Sequence, residues 1–291
     1  MLDKGISRRR MLGVGAALAA GFAATGCGTT QNTSSLAQAR ASIAPAATTG
    51  MRAAPASTGL DAGTPVAVAA RHAGSPPRQW GVEMPGITST FSAAGKQMAL
   101  TFDACGGTGN NDIDESLMNF LISERIPATL FLNKRWIEAN RARTAQLAAN
   151  PLFELANHGV AHKPLSVNGR EAYGIAGTAS AREAADEVWA NHELLTTITG
   201  KPPRFFRAGT AHYDDVAVSI VNELGETPVG FSINADFGAT ASATQVQSAM
   251  NAAASGAISL AHMHRPRSGT AAGMIAALPK IRAMGFTFVH L

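Results

Sequence analysis

From residue 97 onward, short apolar runs alternate with longer stretches whose apolar positions recur at helical spacing. The runs predict strands over 97–102, 128–133, 152–157, 203–208, 228–234, 257–264 and 286–291. Between them, helices are expected over 114–126, 135–150, 180–200, 213–225, 243–255 and 270–285. Gly200 stands just past the end of the longest helix, where a left-handed cap is expected. Seven strands alternating with six helices imply parallel strands covered by helices. A distorted (β/α)7 barrel is the expected α/β architecture, and a flat doubly wound sheet is the structural alternative.

In a barrel, chemistry collects at the C-terminal ends of the strands. The first predicted strand ends in Asp103, the third in His158 and His162, and the fourth in Arg207. The fifth ends in Asp236, and the sixth in His262 and His264. The "HGVAH" spacing suits two imidazoles on one divalent metal, Zn²⁺ above all, although a pair of hydrogen-bonded surface histidines has the same spacing. Asp103 is placed to act as a general base, with Arg207 holding it ionised through a bidentate pair. His262 is a candidate general acid, and Asp236 a candidate to orient its ring.

Residues outside this pattern change the picture in two ways. "SRRRMLGVGAALAAGFAATGC" reads as an export signal over 1–27, twin-arginine in style, with an apolar run too short to span a membrane. Cys27 stands where a bacterial lipoprotein would be cleaved and lipidated, although Ala24 occupies the position usually taken by leucine. The protein is therefore expected to be exported, periplasmic or in the cell envelope, as a monomer that touches membrane only through lipid on Cys27. Residues 28–77 are rich in Ala, Thr, Ser, Gly and Pro and are expected to form a flexible linker. Ordered structure is then expected over 78–291. Without residues 1–26 the chain carries 20 basic against 19 acidic residues, which gives no warrant for a nucleic-acid surface. Cys105 is the only other cysteine, so no internal disulfide is expected.

Taken together and in order, these motifs resemble the polysaccharide deacetylases of carbohydrate esterase family four. The family's Thr-Phe-Asp-Asp-Gly motif reads "TFDACGG" here, and its His-(Ser/Thr)-x-x-His motif reads "HGVAH". The arginine motif appears as "RAGTAHYDD", the Asp-aromatic motif as "ADF" and the Leu-x-His motif as "LAH". The resemblance covers roughly 97–291 and implies metal-dependent removal of N-acetyl groups from an amino-sugar polysaccharide, without an organic cofactor. It implies Asp103 as base, His262 as acid, Arg207 and Asp236 as their partners, and His158 with His162 on a divalent metal, Zn²⁺ being the ion expected.

One departure stands out. The family's second aspartate, a metal ligand, is Ala104 here. A substitute carboxylate is sought in "GTGNNDIDESL", with Asp114 the better candidate and Asp112 the other; a plain helix N-cap is the competing role for Asp114. Cys105 reads as a small buried residue, with thiolate ligation the alternative. The loss at Ala104 also leaves a second function open: a non-catalytic glycan-binding protein on the deacetylase scaffold.

Overall fold

The computed structural model describes residues 63–291. The expected export signal, Cys27 and most of the expected linker lie outside the described residues. The ordered chain begins earlier than expected. Thr64 caps a short helix α1 (Pro65–Arg71), whose Val68 and Ala69 pack into an apolar cluster with Val188 and Val221. Proline at the first helical position and a capping threonine make this stretch helical despite its linker-like composition.

The chain continues through β1 (Trp80–Gly81) and β2 (Gln97–Ala104) to α2 (Glu115–Ser123) and β3 (Ala128–Leu132). Next come α3 (Lys134–Ala139), α4 (Arg141–Ala149), β4 (Phe153–Asn157), α5 (Ala181–Thr199) and β5 (Phe205–Phe206). After β6 (Tyr213–Asp214) follow α6 (Asp215–Glu223), β7 (Thr227–Pro228), β8 (Ile233–Asn234) and α7 (Ala243–Met250). The chain closes with β9 (Ile258–His262), α8 (Thr270–Ala283) and β10 (Thr287–Val289).

Eight strands form one parallel sheet in the order β7-β5-β4-β3-β2-β9-β8, with β10 also paired to the start of β2. The sheet curls into a half-barrel with helices outside, so the α/β barrel expectation holds in distorted form. The lead-in strides the gap between the end strands: Thr88 bridges Val229, and Thr90 bridges Ala257. β1 and β6 form a separate antiparallel pair.

Two expected elements are broken, each for a visible reason. The strand predicted over 228–234 is split into β7 and β8 around Gly230, where a Cβ would lie 2.6 Å from Ser89 Oγ. The lead-in chain passes there, and only glycine leaves it room. The helix predicted over 135–150 breaks at Asn140, whose side-chain amide donates to the carbonyls of Asn111 and Trp136.

The strands divide the core. Met98, Leu100, Phe102 and Ala104 of β2 face the helix layer with Leu117, Leu121 and Trp136. Ala99 faces the barrel interior with Phe131, Ala156 and Ile258. This two-residue alternation is the strand's own geometry.

Behind β4, Asn157 sits in a fully buried polar network. Its amide donates to Val188 O and to Glu226 Oε1, while its oxygen accepts from Gly159 N and Asn191 Nδ2. His192 Nδ1 lies 2.8 Å from the same Glu226 oxygen, and Glu226 Oε2 has no partner. Burial pushes the Glu226 carboxyl up to about 7, against hydrogen bonds from His192 and Asn157. The native state thus holds this proton more tightly than the unfolded chain, so its contribution to stability is lost as pH rises from about 4.5 to about 7. Between pH 5 and pH 8, the thermal midpoint of the native protein should therefore fall more than that of Glu226→Gln, measured by scanning calorimetry.

Candidate active site

Arg207 follows β5 and is fully buried inside the barrel. Its Nη1 donates to Asp103 Oδ1 at 2.7 Å and to Thr101 Oγ1 at 2.9 Å. Its Nη2 donates to Gly230 O, and its guanidinium lies 4.1 Å from the centre of the Phe131 ring. Asp103, at the inner end of β2, is thereby aimed and kept apart from solvent. Its other oxygen, Oδ2, lies 3.6 Å from His158 Nε2.

His158 follows β4 and is buried. Its Nδ1 lies 2.8 Å from Arg207 O. A backbone carbonyl can only accept, so Nδ1 carries a proton and Nε2 points inward to Asp103 and Cys105. His162 stands edge-on to it, ring centres 4.9 Å apart. The intervening loop is tied down by Glu187 of α5. The Glu187 carboxylate accepts from the amides of Val160, Ala161 and Lys163. Gly159 leaves it room, because a Cβ there would sit 2.6 Å from Glu187 Oε1. Asn133 donates to the carbonyls of His158 and Gly159 from the other side. These bonds hold His162 in a left-handed conformation, φ 59°.

On the strand next to Asp103, and level with it, His262 ends β9. Its Nδ1 lies 2.8 Å from Asp236 Oδ1, and its backbone amide donates to Asp236 Oδ2. Thr270 Oγ1 donates to the same Oδ2. Burial opposes charge on this imidazole, but the Asp236 carboxylate outweighs it and holds the pKa well above the ordinary 6.5. His264 packs beside it, ring centres 5.5 Å apart, with its Nδ1 3.2 Å from the carbonyl of Asp103.

Cys105 lies between these groups. Its Sγ is 3.8 Å from His158 Nε2. Burial raises the thiol's pKa, but charge on His162 and hydrogen bonds from His158, His162 and His262 bring it well below the usual value. Ligand atoms of Cys105, His158 and His162 all lie within 4.8 Å of one another, a group able to hold a metal ion. The donor set, two imidazoles and a thiol of lowered pKa, fits a divalent ion such as Zn²⁺.

Asp114 does not join this group. Its Oδ1 accepts from Leu117 N at 3.1 Å as the N-cap of α2, and its own amide donates to Met263 O. The turn over 105–113 carries it to the helix start rather than to the imidazoles, so its expected role as metal ligand is replaced by capping. The structure brings together Asp103, Arg207, His158, His162, Asp236 and His262. Sequence reasoning missed Glu187, Asn133 and Thr270, which carry no motif; Glu187 looks like any acidic residue on a long helix.

These groups floor a cleft of about 780 Å³, lined also by Tyr173, Phe237 and Arg265. Residues 92–229 match the family profile described as polysaccharide deacetylase. Polysaccharide deacetylase family sequence is thus recognised over residues 92–229. Solved structures of carbohydrate esterase family four share its fold. BA3943, a pseudoenzyme of that family from Bacillus anthracis, aligns with a TM-score of 0.59 at 19% identity, covering 72% of this chain and 68% of its own. The Bc1960 peptidoglycan N-acetylglucosamine deacetylase gives 0.58 at 19% identity, covering 71% and 91%. PdaA of Bacillus subtilis, a family 4 carbohydrate esterase, gives 0.56 at 20% identity, covering 70% and 82%. No curated protein matches the chain.

The Glu187 anchor of this deacetylase domain is open to test. Glu187→Ala leaves the amides of Val160, Ala161 and Lys163 without their acceptor, at a cost of about 1–3 kcal/mol. Hydrogen exchange at these three amides should speed up while strands β2 to β4 keep their protection. Glu187→Gln, which retains an acceptor oxygen, should restore most of it.

Proposed function

We propose that this protein hydrolyses the N-acetyl group of N-acetylated amino sugars in a polysaccharide of the cell envelope. One observation carries the reading: the Asp103–Arg207 pair and the His262–Asp236 pair meet on the neighbouring strands β2 and β9, beside the cysteine–histidine group, on the floor of a single open cleft. A base and an acid within reach of one reacting centre are what amide hydrolysis requires.

His158 and His162 would hold the divalent metal, which when bound supplies a Lewis acid for the acyl carbonyl and lowers the pKa of water. Asp103 acts through Oδ2, since Oδ1 is tied to Arg207. It takes a proton from the water whose oxygen bonds to the acyl carbon. His262 gives the proton on its other ring nitrogen to the sugar nitrogen as the C–N bond breaks. Acetate and a free amine leave, and the proton on Asp103 returns through solvent to His262. Asp236 keeps His262 protonated and oriented until that step.

The rim supports a sugar polymer. Tyr173 is 82% exposed and Phe237 57% exposed, both on the cleft. Such open aromatic faces suit the apolar faces of pyranose rings and have no part in the core. Peptidoglycan and exported glycans are the substrates an exported protein meets, and one of the structural neighbours is a peptidoglycan N-acetylglucosamine deacetylase.

Acetate release from peptidoglycan and from a chitooligosaccharide, with metal content measured on the same sample, tests the reading. Turnover in His262→Ala should drop on the order of 10²-fold or more with metal content unchanged. An acid must be protonated to work, and Asp236 holds the His262 pKa up. The alkaline limb of the rate profile should therefore move to lower pH in Asp236→Asn. Glycan binding without any acetate release would make the protein a binding module on a deacetylase scaffold.

A further inference from the structure

We infer that Cys105 is the third protein ligand of the metal in this site, in place of the carboxylate that family resemblance leads one to expect at position 104. The metal itself rests on the function proposed above; the ligand rests on the geometry of this chain.

Strand direction gives the first reason. Side chains at 98, 100, 102 and 104 of β2 belong to the helix-facing core, and Ala104 is fully buried there among apolar groups. Thr101 and Asp103 point inward to Arg207. Cys105 continues the inward row, on the side where the imidazoles stand. A donor at 105 therefore reaches the imidazoles, whereas a side chain at 104 faces the helix layer.

Separations give the second reason. A tetrahedral Zn²⁺ with bonds of about 2.3 Å to sulfur and about 2.0–2.1 Å to nitrogen puts those atoms about 3.6 Å apart. Cys105 Sγ and His158 Nε2 are 3.8 Å apart. With Nδ1 committed as donor to Arg207 O, Nε2 is the ring nitrogen left to take a metal, and it is the one that faces the sulfur.

Nearby carboxylates have other partners: Asp103 Oδ1 is held by Arg207, Asp236 by His262 and Thr270, and Asp114 Oδ1 by the Leu117 amide of α2, whereas the ligand atoms that gather closely are those of Cys105, His158 and His162. Three protein ligands leave a tetrahedral ion one open position, the arrangement of catalytic rather than structural sites. A thiolate also biases the site toward Zn²⁺ and other thiophilic ions, and away from Mg²⁺ or Mn²⁺.

Cobalt titration of the full-length chain carrying Cys27→Ser tests this, because Cys105 is then the only thiol. One equivalent of Co²⁺ should bring up a thiolate-to-cobalt charge-transfer band in the near ultraviolet. Adding Cys105→Ser should abolish the band and weaken Zn²⁺ binding on the order of 100-fold, since even partners outside the ligand shell are worth 10–100-fold. Adding Cys105→Asp should abolish the band but keep most of the metal affinity. Bound cobalt without the band overturns the assignment, and so does a chain that binds no metal ion. The parent spectrum decides the matter even where a variant does not fold. Acetate release separates the two proposals: release without the band keeps the deacetylase and removes the cysteine, whereas the band without release from any N-acetylated glycan keeps the cysteine and removes the deacetylase.

Discussion

The buried pair of Arg207 and Asp103 is the constraint on which the site depends. A guanidinium and a carboxylate with almost no exposure pay a heavy desolvation cost, which is offset only if nearly every donor finds an acceptor. Here the donors reach Asp103, Thr101 and Gly230 O, and Phe131 supplies an aromatic face. Those partners come from β2, β3 and the break between β7 and β8. The pair can therefore form only when the sheet has curled and the gap between its end strands is bridged. The same arginine's carbonyl fixes the tautomer of His158. One residue thus aims Asp103 and orients His158.

A second pair mirrors it. Asp236 grips His262 by ring and backbone, and Thr270 completes the carboxylate's bonds. The two assemblies differ in a way that suits opposite tasks. Arg207 holds Asp103 by one oxygen only, which aims the carboxylate and leaves Oδ2 open to take a proton. Asp236 places negative charge beside His262, which favours the protonated imidazole an acid needs. Neither assembly relies on a flexible loop, since both stand at strand ends; the loop that does carry a site residue, from Gly159 to Lys163, is pinned by the Glu187 carboxylate. Exposure is confined to the rim, where Tyr173 and Phe237 stand in solvent above a rigid floor.

Much of this was legible in the sequence. The buried strands β2, β3, β4 and β9 are continuous apolar runs, and α5 has an unbroken helical pattern ending in Gly200 with φ 74°. Polar residues interrupting those runs marked Asp103, His158, Arg207 and His262 as site candidates. The weaker elements escaped because their limits are set by distant contacts. Gly230 splits one strand to admit the lead-in, and Asn140 splits one helix by reaching to Asn111. Glu187 escaped because a carboxylate that gathers loop amides is identical in sequence to one that faces water.

The sequence by itself determined the alternation of strands and helices, the order of the motifs and the residue types that stand at the strand ends. Each follows from periodicity or from residue type, which are local properties. Only the tertiary structure decided which donor stands beside His158 and His162. Asp114 is near in sequence but committed to a helix N-terminus, while Cys105 is turned inward by the two-residue repeat of β2. The direction of a side chain at the end of a strand depends on where that strand stops and how the next loop leaves it. Contacts across the whole barrel fix both.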